Sequence, residues 1–239
     1  MIDDLLPESV VAVEAFGEAG AHEFGGAALY PQEEALVARA VAKRRREFTV
    51  VRACARRAME KLGVPAQPVL PGERGAPQWP EGLAGSMTHC AGYCAAALVR
   101  ATDLASLGID AEPHEPLPAG VLSAVALPAE QERLGRLAAE RPEVHFDRLL
   151  FSAKESVYKA WFPLTREWLD FSEADIDLVP AGPAGPAGAA GPAGGPHGAF
   201  RARLLVPGPV VGSRRLGHFD GRWTVRRGLV ATAIAVHHG

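Results

Sequence analysis

Two carboxylates lie two residues apart in Leu107–Pro113, a stretch that reads as a β-strand ending at its proline. Side chains alternate along a strand, so Asp110 and Glu112 are expected on the same side. Paired carboxylates repel each other unless water or a cation screens them. Magnesium is commonly held by one or two carboxylates together with water and substrate phosphate. The stretch therefore indicates a magnesium site, with a polar strand face at a sheet edge as the alternative.

A second acidic stretch, Phe151–Trp161, places Glu155 four residues before Lys159. Side chains at that spacing share one face of a helix. Ser152 stands three residues before Glu155, which is the spacing of a capping box. We therefore expect the helix to begin at Ser152 and to end at Pro163. The alternative interpretation is an ordinary surface helix with one solvated ion pair.

A helix rich in cationic side chains precedes both acidic stretches. Apolar residues recur at steps of three and four from Phe48 to Leu62, which predicts an amphipathic helix closed by Gly63. Its cations are Lys43, Arg44, Arg45, Arg46, Arg52, Arg56, Arg57 and Lys61. Such a run is typical of a solvated face or a nucleic-acid patch, but only Phe48 is interleaved as an aromatic residue. A compact ligand that carries phosphate groups is an equally good partner.

A histidine follows small and hydroxyl-bearing residues in Gly85–Cys90. Such residues suit close approach of the backbone to an anion, and the stretch leads into an apolar run of strand length, Tyr93–Val99. We expect a loop that carries His89 to an anionic ligand. A purely structural histidine is the alternative.

The net charge of the 239 residues is −3, which is near balance, so no electrostatic field of the whole protein points to a nucleic-acid or membrane partner. The first residues are acidic and lack the basic start of a signal peptide, and no apolar run reaches the length of a membrane span. The three cysteines, Cys54, Cys90 and Cys94, have neither zinc-site nor disulfide-framework spacing. We expect a cytoplasmic protein with buried free thiols.

The remaining elements follow from periodicity and turn residues. Alternating or amphipathic patterns predict a strand near Val10–Ala15, a helix over Pro128–Glu140 and an apolar, central strand over Leu229–Val236. The Asp-Gly pair within Phe219–Trp223 predicts a hairpin turn. Pro180–Gly198 is almost entirely proline, alanine and glycine, which predicts a disordered insert between two strands.

The two acidic stretches together resemble a known family. Gly108–Glu112, followed some forty residues later by Lys154–Lys159, resembles the paired signature of the 4′-phosphopantetheinyl transferases. Arg44–Phe48 with Arg52 and Arg56, and Gly85–His89, resemble further motifs of the Sfp type, particularly its branch similar to the enterobactin synthase component EntD. The likeness covers nearly the whole chain apart from the Pro/Ala/Gly insert.

The resemblance implies a fold and a division of the chain. The fold would be α+β, with two similar α/β halves related by a pseudo-twofold axis and the active site in the cleft between them. Residues 1–105 would form the N-terminal half, with the basic helix and the His89 loop. Residues 106–239 would form the C-terminal half, with the acids and the catalytic helix. The family also implies a monomer.

The resemblance further implies the reaction and the roles of the residues. Phosphopantetheine would move from coenzyme A to a serine of an apo carrier protein, with Mg²⁺ as cofactor and Mn²⁺ able to substitute. The expected metal ligands are Asp110, Glu112 and Glu155. The expected catalytic residues are Glu155, as ligand and base, and Lys159. The expected contacts to coenzyme A are Arg44, Arg52, Arg74, Ser86, Thr88, His89, Asp110 and Lys159. Ala111 cannot ligate through its side chain, so a water or substrate oxygen would fill that position.

Two other classes of function use some of the same residues. A magnesium-dependent nucleotide hydrolase would need the same acids and cations together with an organised water. A nucleic-acid binder would rest on Lys43–Lys61 alone and would leave Asp110, Glu112, Glu155 and Lys159 unexplained. We expect no nucleic-acid or membrane partner. The carrier remains open among those of fatty-acid, polyketide, nonribosomal-peptide and siderophore synthesis, as does the choice among Arg44, Arg45 and Arg46.

Overall fold

A computed structural model describes residues 1–182 and 195–239, and in this part of the chain helices and strands mix as expected for an α+β protein. The α-helices are α1 (Gly17–Gly25), α2 (Pro31–Val37), α3 (Ala42–Lys61), α4 (Val121–Val125), α5 (Pro128–Glu140) and α6 (Phe146–Thr165). The strands are β1 (Val11–Phe16), β2 (Leu83–Cys90), β3 (Tyr93–Arg100), β4 (Ser106–Pro113), β5 (Ala174–Pro180), β6 (His197–Leu204), β7 (Val210–Val211), β8 (Arg214–Arg215), β9 (His218–Arg226) and β10 (Leu229–Val236).

The strands form two main antiparallel sheets. The first has the order β1-β3-β2 and the second the order β4-β10-β9-β6-β5, while β7 and β8 form a separate small hairpin. Each main sheet carries one long helix, α3 on the first and α6 on the second. Apolar clusters fill the space under each long helix and between the sheets. The pseudo-twofold relation of the two halves and their boundary near residue 105 remain predictions.

The two sheets meet edge to edge through side chains. The backbone N–H of Ile109 on β4 donates to Ser86 Oγ at 3.1 Å, and that of Ala111 donates to Thr88 Oγ1 at 3.2 Å. Both strands advance by two residues between these bonds, so β2 and β4 run in the same direction. Hydroxyl oxygens here replace the carbonyl acceptors of a regular ladder. The expected loop over 85–90 is therefore wrong, because this stretch is strand β2.

The catalytic helix predicted from the sequence is longer than expected. It begins at Phe146, with His145 as N-cap, and Pro163 lies inside it. Phe146, Leu149 and Leu150 are buried and extend the apolar stripe towards the N-terminus. The hydroxyl of Ser152 contacts Thr232 in the core, so the predicted cap at Ser152 is wrong.

The predicted hairpin turn and the predicted insert also need correction. β9 runs straight through Asp220-Gly221, and a Cβ at Gly221 would lie 2.2 Å from the ring of Phe200, so close packing explains this glycine. The hairpin turn instead lies at Arg227 and Gly228, whose φ angles of 55° and 72° suit a primed turn. Cα pairing of Pro180 with Gly198 places both ends of the predicted insert in β5 and β6. The rest of that prediction, at residues 183–194, lies outside the described residues.

Several simpler predictions are confirmed. Strands occupy Val11–Phe16 and Tyr93–Arg100, and α5 covers Pro128–Glu140. β10 lies between β4 and β9, in the interior of its sheet. Among the described helices, none is long and apolar enough to cross a bilayer.

Candidate active site

The acidic face of β4 is the face that packs against α6. Ile109 and Ala111 point into the apolar cluster between the sheets, which leaves Asp110 and Glu112 on the opposite side, as predicted. On that same side, a Cβ at Gly108 would lie 2.1 Å from the carbonyl oxygen of Ser156. The absence of a side chain at Gly108 therefore lets α6 lie close enough to β4 to bring its own polar residues to the acids.

Lys159 of α6 reaches the first acid directly. Its Nζ lies 2.7 Å from Asp110 Oδ1 and donates to the carbonyl oxygen of Ile109 at 3.0 Å. Glu155 lies four residues before Lys159 on α6, so the two side chains share one face of the helix. Lys159 lowers the pKa of the Glu155 carboxyl and Asp110 raises it. The structure thus brings together three of the residues that the sequence predicted to act together.

Asp110 is nearly fully buried, and its two oxygens have different surroundings. Oδ1 accepts hydrogen bonds from Lys159 and, at 3.1 Å, from Thr88 Oγ1. Oδ2 is buried and receives no hydrogen bond from the described residues. A desolvated carboxylate oxygen without a donor is costly, and a cation would satisfy it.

The other two acids are held in conditions that disfavour their charge. Burial and the neighbouring Asp110 raise the pKa of Glu112, while Arg148, whose Nη1 donates to Glu112 Oε2 at 3.2 Å, opposes this. Burial likewise raises the pKa of Glu155, with Lys159 lowering it and Asp110 raising it. Mutual repulsion of partly buried carboxylates is the condition that a bound cation relieves.

The oxygen donors fit a magnesium ion. Within residues 1–182 and 195–239 no three acidic, histidine or cysteine side chains form a ready-made metal cage. Magnesium does not require one, because it keeps several waters and is bound through one or two carboxylates and substrate phosphates. The unpartnered Oδ2 of Asp110 and the raised pKa values of Glu112 and Glu155 agree with that mode of binding.

The first turn of α3 reaches β2. Arg44 Nη1 contacts His89 Nε2, whereas Arg45 pairs with Glu34. Burial, with Arg44 next, lowers the pKa of His89, so its imidazole is neutral near neutral pH and accepts from the guanidinium. Of the three consecutive arginines, Arg44 is thus the one that lies beside the predicted phosphate contact.

Arg52 is buried and has partners within the protein, and its predicted contact to coenzyme A stays a prediction. Its Nε donates to the carbonyl oxygen of Val69 at 3.1 Å, and its guanidinium lies 3.2 Å from the centre of the Phe48 ring. Glu33, which is fully buried, lies 3.9 Å from Arg52 Nε and 2.9 Å from Arg56 Nη1. Burial lowers the pKa of Arg52 to about 10. The middle of α3 therefore ties α2 to the core and is not an exposed anion-binding face.

Arg74 approaches the site from the first half of the chain. Its guanidinium lies 5.6 Å from the ring of Trp168, which is itself 5.1 Å from the ring of Tyr158. The rings of Trp168 and Tyr158 line a cavity of about 130 Å³ that also reaches Glu155. Its lining residues are Lys154, Glu155, Val157, Tyr158, Trp168, Leu169, Asp170, Phe171 and Ala174.

Some polar residues near the site have roles that the sequence did not indicate. Arg148 Nη1 donates to Glu112 Oε2. Arg148 lies seven residues before Glu155 and so on the same face of α6. The predicted helix began at Ser152 and therefore did not include Arg148. Lys154 pairs with the buried Glu130 at 2.8 Å and so points away from the acids of β4. Ser86 and Thr88 use their hydroxyls between β2 and β4, as described above.

Comparison with known proteins gives the family. Residues 32–99 match the model of the 4′-phosphopantetheinyl transferase N-terminal domain, and residues 106–190 match that of the 4′-phosphopantetheinyl transferase superfamily. The chain therefore belongs to the 4′-phosphopantetheinyl transferases and is a transferase, as the paired acidic stretches predicted.

Individual relatives extend the likeness over the full chain. The chain is 56% identical to the 4′-phosphopantetheinyl transferase Svp of Streptomyces mobaraensis over 99% of its own length and 89% of that protein. It is 44% identical to the 4′-phosphopantetheinyl transferase PptT of Mycobacterium tuberculosis, over 99% and 98% of the two chains. The enterobactin synthase component D of Salmonella typhi matches at 35% identity over 50% of this chain and 49% of that protein, a weaker likeness.

Proposed function

We propose that this protein transfers the 4′-phosphopantetheine group from coenzyme A to a serine of an apo acyl or peptidyl carrier protein, in a magnesium-dependent reaction. The observation that carries the proposal is the buried carboxylate of Asp110. One of its oxygens accepts from Lys159, and the other has no partner among the described residues. Glu155 lies one turn before Lys159 on the same face of α6. The family supports the transferred group, and the site supports the chemistry.

Residues of β4 and α6 would bind the metal ion and a phosphate group of coenzyme A. Asp110, Glu112 and Glu155 would hold the metal ion. Bound Mg²⁺ would offset the charge that develops on the pyrophosphate oxygens. Lys159 uses two of its three N–H groups on β4, which leaves one for a phosphate oxygen.

The chemical step is attack of the carrier serine on the β-phosphate of coenzyme A. A new phosphorus–oxygen bond forms to the serine, and the bond to the leaving adenosine 3′,5′-bisphosphate breaks. Glu155 takes the serine proton, directly or through a water. Positioning and charge neutralisation supply most of the remaining barrier reduction.

The phosphates of coenzyme A would be bound by cations from the first half of the chain. Arg44 and His89 already contact each other, and a guanidinium can bind a phosphate in bidentate fashion. Arg74 lies over the ring of Trp168, which lines the cavity that reaches Glu155. Arg52 is buried, where it contacts the Val69 carbonyl and Glu33, and it thereby holds α3 and α2 in place.

The decisive experiment is intact-mass analysis of purified apo carrier proteins incubated with this protein, coenzyme A and Mg²⁺. The proposal requires a gain of one phosphopantetheine group on the carrier, lost when the carrier serine is replaced by alanine or when the metal is chelated. Cleavage of coenzyme A at the same rate without a carrier would instead support the hydrolase. Salt-sensitive duplex binding without transfer would support the nucleic-acid binder.

The same assay can identify the carrier class. Carriers from fatty-acid, polyketide, nonribosomal-peptide and siderophore synthesis should be compared at equal concentration by kcat/KM. The partial likeness to an enterobactin synthase component makes a siderophore carrier a reasonable first choice. A cytoplasmic location and a monomeric state belong to the same proposal, and size-exclusion chromatography with light scattering tests the second.

A further inference from the structure

The hydroxyl of Thr88 contacts the second sheet and one of the acids at the same time. Its Oγ1 accepts the backbone N–H of Ala111 at 3.2 Å and lies 3.1 Å from Asp110 Oδ1. The backbone N–H can only donate and an ionised carboxylate can only accept, so the hydroxyl proton is directed at Asp110. Thr88 is 3% exposed, which leaves little access for a competing water.

Asp110 is consequently held from one side. Thr88 and Lys159 both donate to Oδ1, and Oδ2 remains buried without a donor among the described residues. Two donors on one oxygen restrict rotation of the carboxylate and compensate charge there. The uncompensated charge therefore lies at Oδ2.

We propose that Thr88 is a positioning residue that orients Asp110 so that Oδ2 faces the metal ion. This rests on the proposed function, because it needs a metal at Asp110. It also replaces the sequence-based expectation that the Thr88 side chain binds coenzyme A. Its hydroxyl is committed to β4, on the opposite face of β2 from His89, which contacts Arg44.

Strand β2 connects the acid Asp110 with the predicted phosphate contacts Arg44 and His89. Thr88 and His89 are consecutive on β2, so the strand that presents the imidazole to Arg44 is the strand that holds Asp110. A displacement of β2 relative to β4 would break the contact between Thr88 and Asp110 and would move His89 and Arg44 relative to the acid. Thr88 therefore sets the relative position of the acid and the phosphate-binding side.

The test compares Thr88→Val with Ser86→Ala. Ser86 also accepts a backbone N–H from β4, at 3.1 Å, but among the described hydrogen bonds it has no acid partner. Mn²⁺ binding is measured by electron paramagnetic resonance in protein saturated with coenzyme A and without carrier. We expect both variants to lose a similar few degrees of Tm. Only Thr88→Val should weaken Mn²⁺ binding. The expected loss of Mn²⁺ affinity is about tenfold, because one hydrogen bond to a charged group is removed.

Further variants and measurements complete the test. Thr88→Ser, which keeps the hydroxyl, should restore Mn²⁺ affinity to within about twofold, and the KM for coenzyme A should stay unchanged in Thr88→Val. If Thr88→Val does not fold, Thr88→Cys serves instead, because a thiol is only a weak donor. Unchanged Mn²⁺ affinity with a raised KM for coenzyme A would overturn the inference. A wild-type protein that binds no Mn²⁺ would overturn the proposed metal site and, with it, the role of Thr88.

Discussion

The backbone of Gly108 lies so close to Ser156 that a Cβ on the glycine would fall 2.1 Å from the serine carbonyl oxygen and 2.8 Å from the Ala160 nitrogen. Helix α6 can thus rest on β4 with almost no gap, and this contact sets the distance between Lys159 and Asp110. The geometry of the site depends on a residue that itself does no chemistry.

Gly108→Ala should therefore separate α6 from β4. We expect a loss of about 1–3 kcal/mol in the free energy of unfolding, the usual cost of overpacking, and a larger proportional loss of transfer activity. Gly135→Ala is the matched control. It lies on α5, where a Cβ meets nothing within 4 Å, and should add about 0.5–1 kcal/mol of stability. Urea unfolding and carrier mass analysis measure both effects, and normal activity in Gly108→Ala would contradict the proposed geometry.

Glu155→Gln should abolish most turnover while leaving the fold intact. Glu155 lies well inside α6, so it has no capping role to lose, and glutamine retains its size without accepting the serine proton. We expect at least about a hundredfold loss of kcat, with coenzyme A still bound and Tm within a few degrees of wild type. Glu132→Gln, on the exposed side of α5, should behave as wild type. Near-normal turnover in Glu155→Gln would mean that another group removes the proton.

Lys159→Ala should lose turnover by a similar factor, because neutralisation of the phosphate and the contact to Asp110 disappear together. Combined with Glu155→Gln, it should cost little more than either change alone, since groups that act as one unit are not additive. Single-turnover kinetics of the two single variants and the double variant measure this. Fully multiplicative losses would show that the two residues act independently.

The metal-free protein should show a raised pKa for the Glu155 carboxyl, because burial is the main influence on it. The unfolded state binds this proton less tightly than the folded state. Ionisation of Glu155 therefore lowers the free energy of unfolding at pH values above the folded-state pKa. This loss of stability disappears as the pH falls through the folded-state pKa. NMR titration in chelator should place the midpoint above 4.5, and Lys159→Ala should raise it further. A midpoint at or below 4.5 would contradict the environment described here.

Arg44→Ala and Arg52→Ala should separate ligand binding from folding. Arg44 is exposed beside His89, so its loss should raise the KM for coenzyme A about tenfold with little change in Tm.

Arg52 is buried, and its loss leaves the Val69 carbonyl unpaired and Glu33 with one fewer cation. We expect Arg52→Ala to cost roughly 1.5–3 kcal/mol of stability. Thermal melting and initial-rate kinetics distinguish the two effects. A change in KM alone in Arg52→Ala would support the sequence-based prediction that Arg52 binds coenzyme A.

The segment of residues 183–194 should be replaceable by a short Gly-Ser linker. It contains only proline, alanine and glycine, and the entropy of closing a connection depends weakly on its length, by about 0.6 kcal/mol for each doubling. The flanking pair Pro180–Gly198 should be kept, since it belongs to the β5–β6 ladder. Activity and Tm should stay nearly unchanged, and a large loss of either would show that the segment makes a contact that matters.

The acidic stretches were predictable from the sequence because strand and helix periodicities are local. The spacing of two between Asp110 and Glu112 determines that they share a face, and the spacing of four does the same for Glu155 and Lys159. The paired stretches at their separation also identified the family. None of these inferences depends on which helix or strand packs against which.

The partners of each residue were decided only by the tertiary structure, because hydrogen bonds and burial depend on distant parts of the chain. Arg44 and Arg52 are chemically identical and lie on one helix, yet one contacts a histidine of β2 and the other is buried against Glu33. Ser152 has the spacing of a cap, but its hydroxyl is used by Thr232 eighty residues later. Thr88 looks like part of an anion-binding loop until β4 is placed beside it, and only then does its hydroxyl have an acid to hold.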